Sequence, residues 1–164
     1  MAERTLRISW EDPGPLAQAG RSMSGLEFLS AIRDGRVSAA PISVLLGFKL
    51  VEVQRGRAVF EVVPGEQHFN PIGVVHGGLA MTLLDSAMAC SVQTELPAGT
   101  GYTTLEAKIN LVRPISAETG TLRAIGKTIH VGGRVGTAEG RLEDAAGKLY
   151  AHGTSTCIIL GNGR

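Results

Sequence analysis

The chain has 164 residues, enough for one ordinary domain with its own core. Its 43% hydrophobic content comes with only 4% aromatic residues and 22 glycines, the balance of a packed aliphatic domain and not of a disordered segment. The net charge is +1 with basic and acidic residues interspersed, so no stripe could neutralise a run of phosphates and nucleic acid is not an expected partner.

Met1 to Arg7 run into charge without an apolar stretch, which predicts no secretory segment. Cys90 and Cys157 lie far apart and outside any CxxC pair, so both read as reduced, buried thiols of a cytoplasmic chain. Residues 1–43 predict an N-terminal extension with one helix: Pro13-Gly14-Pro15 breaks the chain, then Ser24-Gly25-Leu26-Glu27 opens a helix with a capping box that ends near Gly35. Residues 44–164 are expected to form the main domain. Phe48 to Val53 and Gly56 to Val63 read as its first two strands, joined by a turn at Gln54-Arg55-Gly56-Arg57.

From Gly77 onward, Leu79, Ala80, Met81, Leu83, Leu84, Ala87, Met88, Ala89 and Val92 leave hardly any polar face, which predicts a helix enclosed on all sides and ended by Pro97 and Gly99. Thr82, Asp85 and Ser86 interrupt that window, and it falls short of the ~20 apolar residues of a membrane span. No membrane partner is expected. Four strands follow, at Tyr102 to Val112, Gly120 to His130, Arg134 to Glu143 and Leu149 to Leu160, with turns at Pro114, Gly132-Gly133 and Ala146-Gly147. One buried helix followed by a long meander predicts an α+β domain whose antiparallel sheet wraps the helix.

The chemistry concentrates between His68 and Gly78, where Asn70, Pro71, His76 and three glycines precede the helix. Glycines at a helix N-terminus let a ligand oxygen approach unpaired backbone N–H groups in the positive field of the helix dipole, which suits a polarised carbonyl. The plainer reading is a tight turn at Gly77-Gly78 with His76 satisfying a backbone group. Asp85 points toward function: its helical neighbours Met81, Thr82, Met88 and Ala89 supply no cation for a carboxylate in an enclosed helix. A hydrogen bond to Thr82 or Ser86, or a distant arginine, would be the structural alternative. Asp85 lies eight residues beyond Gly77, about 12 Å along a helix, too far for both to act on one carbonyl. A two-fold pair of antiparallel helices would set Gly77 of one subunit opposite Asp85 of the other, so an obligate dimer is expected. The 4 histidines show no HxxxH or HxH spacing, and no metal or organic cofactor is expected. Cys90 has no histidine at hand and reads as a small buried thiol.

Asn70, the His76-Gly77-Gly78 triplet and Asp85 at this spacing resemble the PaaI-like acyl-CoA thioesterases of the hotdog-fold superfamily, over about residues 44 to 160. The resemblance implies a long central helix wrapped by a curved antiparallel sheet, dimers that commonly pair into tetramers, and an acyl-CoA substrate. It implies Asp85 as base or nucleophile and the Gly77 N–H on the thioester carbonyl, with Asn70 and His76 orienting the site. Thr104, ten residues before Pro114, falls where some relatives place a water-positioning hydroxyl. Gly78 and Leu79 are expected to contact substrate, with Leu83 and Met88 in the acyl lining. Arg134 reads as a solvated hairpin residue or, by resemblance, a partner of CoA phosphates. Two alternatives compete. A hotdog hydratase would use an Asp beside Asn70-Pro71, where His68 stands instead. A non-catalytic acyl-CoA sensor would need a DNA-reading module that one extension helix cannot form.

Overall fold

The computed structural model describes residues 3–161. Three helices come first, α1 (Pro13–Ser22), α2 (Gly25–Arg33) and α3 (Pro41–Leu46), then strands β1 (Phe48–Gln54) and β2 (Arg57–Val62). The long helix α4 (Gly77–Gln93) follows, and after it β3 (Gly101–Leu111), β4 (Leu122–Val131), β5 (Val135–Asp144) and β6 (Leu149–Leu160). The strands form one antiparallel sheet in the order β1-β2-β4-β5-β6-β3, so β1 and β3 are its edges.

Bulges after Leu50, Thr104, Thr128 and Leu142 break the ladder at four places. Each adds local twist, and together they curl the sheet around α4. This is the hotdog architecture that the resemblance implies. Helix and sheet approach closely because the sheet's inner face is built from small residues. A Cβ on Gly126 would fall inside the backbone of Ala87 and Met88, and one on Gly140 would meet the Met88 and Leu84 side chains. Leu83, Leu84, Ala87 and Met88 are fully buried there against Ala124, Ala138 and Leu142.

The extension departs from the expectation of one helix. α2 is present with its capping box: the Glu27 N–H donates to Ser24 Oγ and the Ser24 N–H to Glu27 Oε2. α1 and α3 were not anticipated: Pro13-Gly14-Pro15, read as a break, lies in the first turn of α1, and Pro41 opens α3 in the same way. Pro13 and Pro41 occupy opening positions where no N–H acceptor is needed, and Asp12 caps α1 by accepting from the Gly14 N–H at 2.9 Å. α2 docks on the far end of α4: the Gly25 N–H donates to the Leu96 carbonyl at 3.0 Å, so close that any side chain at Gly25 would strike the Gln93 backbone.

The central helix is also less enclosed than its composition predicts. Its Gly78, Met81, Thr82 and Asp85 face is open, with Met81 45% exposed. The apolar pattern is real, but the described residues cover that half of the helix only in part. No described helix is long and apolar enough to cross a membrane.

Candidate active site

α4 starts where a loop is held by its own polar groups. His76 caps the helix, its Nδ1 accepting from the Gly78 N–H at 2.8 Å. That bond leaves the ring proton on Nε2 and removes the Gly78 N–H from any ligand. The Leu79 N–H is taken by the His76 carbonyl at 3.0 Å. The Gly77 N–H, by contrast, has no partner among the described residues, and it stands at the positive end of a 17-residue helix. A Cβ here would lie 2.5 Å from Leu111 Cδ1, so glycine keeps the approach open. Asn70, Gly77, Leu111, Arg113 and Ile115 line a shallow hollow around it.

Asn70 shapes the loop. Its Oδ1 accepts from the N–H groups of Ile72 at 3.1 Å and Val74 at 3.2 Å, and its own N–H donates to the Val74 carbonyl. The strand-like entry to the helix is fixed by the His76 N–H on the His68 carbonyl and the Val75 N–H on the Ile115 carbonyl. His68 itself is buried away from this turn: Nδ1 accepts from the Gly65 N–H and Nε2 faces the Leu46 carbonyl at 3.1 Å, so it serves as a clamp on α3.

Two turns further along α4, Asp85 is half-buried and accepts from Thr104 Oγ1 at 2.9 Å. No ion pair among the described residues involves it. Thr82 does not serve it, since its hydroxyl donates to the Gly78 carbonyl at 3.0 Å. Thr104 reaches Asp85 because β3 crosses the open side of α4. One carboxylate oxygen is thus held while the other is unclaimed. Around it, burial pushes the Cys90 thiol up to about 12, and the neighbouring carboxylate adds to the shift. Burial and the same carboxylate also raise Cys157 and Tyr102. These thiols stay protonated near neutrality, so neither is a nucleophile.

The structure therefore gathers Asp85 with Thr104, and separately Asn70, His76, Gly77 and Gly78, the two groups lying on one open face of α4. Leu79 does not join either: at 5% exposure it packs into the core, as do Leu83 and Met88, which point at the sheet. Their α4 spacing carries all three round to the sheet side. Arg134 lies exposed in the β4–β5 turn, its carbonyl receiving the Ile159 N–H at 2.9 Å. Sequence reading missed Tyr102 and Gln93, whose side chains meet at 3.0 Å beside this face. A Gln at the last position of an otherwise apolar helix was the available signal.

A curved sheet thus wraps one helix, and Asp85 on that helix's open face has no ion-pair partner among the described residues. A family model described as the thioesterase superfamily matches residues 72–151. A Saccharolobus solfataricus protein provisionally named an esterase is 31% identical over 132 residues, 80% of this chain and 92% of its own length. The 1,4-dihydroxy-2-naphthoyl-CoA hydrolase of Listeria monocytogenes is 27% identical over 114 residues, 70% of this chain and 89% of that one. Among solved structures, a phenylacetic acid degradation-related protein of Ralstonia eutropha JMP134, provisionally titled a thioesterase, superposes with a TM-score of 0.71 at 29% identity, covering 79% of this chain and 98% of the other. The chain belongs to the thioesterase superfamily, on its PaaI-like side, and is a hydrolase of thioesters.

Proposed function

We propose that this protein hydrolyses acyl-CoA thioesters at two identical sites of a homodimer, each built from Asp85 and Thr104 of one subunit and Gly77 of the partner subunit. The observation that carries this reading is the Thr104–Asp85 hydrogen bond: it aims a carboxylate with no cationic partner at an open helix face, which a purely structural aspartate would have no reason to occupy.

The dimer follows from what one chain leaves bare. β3 is an 11-residue edge strand with Leu105 58% and Leu111 48% exposed, and the uncovered Met81 face of α4 lies beside it. An apolar edge of that length invites pairing with a second copy. Pairing of two β3 strands antiparallel brings the two α4 helices side by side, so that the N-terminus of one helix answers the middle of the other. This closes the gap of about 12 Å that separates Gly77 from Asp85 within a subunit.

In such a site the Gly77 N–H of the partner subunit polarises the thioester carbonyl and stabilises the oxyanion. Asp85, oriented by Thr104, either takes a proton from the attacking water or attacks the carbonyl carbon itself to give an anhydride that water then opens. Either way the C–S bond breaks and the CoA sulfur departs as thiolate, a leaving group that needs no strong acid. Asn70 and His76 hold the turn that presents the N–H. Arg134, at the exposed β4–β5 turn, is placed to meet phosphates of the CoA moiety. The chain's own groups suffice for this chemistry, and acyl-CoA is its substrate in a soluble cytoplasmic setting.

The test is release of free thiol from a panel of acyl-CoA esters by the wild type, Asp85→Ala and Asp85→Asn. Turnover falling by about a hundredfold or more in both variants is expected. Wild-type protein without turnover on any ester, or variants as active as the parent, would overturn the proposal.

A further inference from the structure

A mainly apolar cavity of about 430 Å³, with Arg33 and Lys49 also in its lining, lies between the N-terminal helices and the second half of α4. Its floor on α4 is Ser86, Ala89, Cys90 and Gln93, whose three- and four-residue spacing puts them on one face, and the first of them directly follows Asp85. Its outer wall is the extension, through Leu16 of α1 with Phe28 and Ile32 of α2. Well-packed interiors keep few voids larger than a water, so an apolar hollow of this size is room for a ligand.

The position of Asp85 decides what enters. Toward the N-terminus of α4 the helix face is bare and is the surface that a second subunit would cover. Toward the C-terminus the same face runs into the cavity. Within one chain, the walled apolar hollow next to Asp85 lies in the second direction, beginning at Ser86.

We propose that this cavity receives the acyl group of the thioester and that residues 13–43 determine which acyl groups fit, an inference that rests on the thioesterase reading of Asp85. The occupant is an apolar acyl group of medium size. A cavity of ~150 Å³ takes a benzene ring, so this one, open on one side, takes roughly six to twelve carbons. Each methylene it covers contributes up to about fourfold in affinity. The N-terminal helices thus act as a ruler for chain length, and Ile32, partly buried against the core in the cavity's outer wall, is a specificity-determining residue.

The experiment measures kcat/KM for straight-chain acyl-CoA esters from acetyl to palmitoyl with wild type, Ile32→Trp and Ile32→Ala, and the rise in Tm that octanoate gives to each. The bulky indole is expected to cut octanoyl-CoA turnover by about tenfold or more while acetyl-CoA turnover stays within about threefold, and to abolish the octanoate effect. The alanine variant, which keeps the test alive should the tryptophan variant fail to fold, is expected to move the preferred length upward. An unchanged length profile in folded variants overturns the inference. Octanoate stabilisation that Ile32→Trp abolishes, in a wild type that cleaves no thioester, supports the cavity and refutes only the hydrolytic reading. Octanoate that stabilises none of the proteins, or all equally, refutes the cavity.

Discussion

Gly77→Pro removes the N–H donor from the proposed oxyanion site, putting a ring methylene in its place, while leaving the helix able to form. Gly77 is the first residue of α4, where a proline costs no helical hydrogen bond, and His76 before it sits at φ −63 and ψ 133, within the extended region that a following proline requires. The substitution also adds a Cβ that would lie 2.5 Å from Leu111 Cδ1, the mobile end of a side chain. Gly77→Ala adds the same Cβ and keeps the N–H, so the difference between the two variants reports the loss of the donor together with the ring methylene that takes its place. The loss of one oxyanion donor is worth ~3–4 kcal/mol, about a hundredfold to a thousandfold in kcat. Steady-state hydrolysis of an acyl-CoA ester should therefore show the alanine variant within about tenfold of wild type and the proline variant at least about a hundredfold below the alanine variant. Equal activities of the two variants would refute the role of the Gly77 N–H.

Thr104→Val removes the hydroxyl that orients Asp85 and should lower kcat by about tenfold to a hundredfold with little change in KM, as steady-state kinetics would show. Gly126→Ala forces a methyl into the Ala87 backbone; a loss of about 3 kcal/mol, seen as a fall in Tm of roughly 6–12 °C, is expected by calorimetry. Cys90, with a thiol raised from 9.0 to about 12, holds its proton well above neutral pH, so Cys90→Ala should stay active and mass spectrometry should find Cys90 unalkylated by iodoacetamide at pH 8 in the native protein. The same shift makes the folded state lose stability as pH rises from about 9 toward about 12, because the unfolded thiol ionises first. Cys90→Ala should flatten that part of the melting profile.

Much of the architecture was legible because local signals agreed with one another. The β-branched runs, the glycine turns at Gly56, Gly132-Gly133 and Gly147, and the change of period at Gly77 each place an element within a residue or two of where it lies. The misses have physical causes. Pro13 starts a helix where it was read as a break, and Pro41 starts another that no expectation covered. The all-apolar surface of α4 predicted enclosure, yet the described residues leave Met81 45% exposed, so composition reported a burial that they do not supply. Leu79, Leu83 and Met88 read as apolar lining of the substrate pocket, but their positions on α4 turn all three to the sheet side, where they are buried. Gly77 stood out because a glycine at a helix start lets a ligand reach unpaired N–H groups, Asn70 as an amide in the loop just before it, and Asp85 because a carboxylate without a cation is costly on an apolar helix. The bond between Thr104 and Asp85 needed the structure, since a strand full of hydroxyls does not say which of them crosses the helix. The cavity wall is drawn from helices, strands and loops far apart in sequence, and no linear pattern marks it.

The central claim, a thioesterase site completed across two subunits, is tested most directly by mixing two inactive variants. Gly77→Pro and Asp85→Asn, refolded together in equal amounts and assayed for CoA release, should form mixed dimers in which one of two sites carries neither change, restoring about a quarter of wild-type activity. Recovery near that level is the predicted result. Mixed dimers that form and stay as inactive as either parent would show that Gly77 and Asp85 act within one subunit, and would contradict the account.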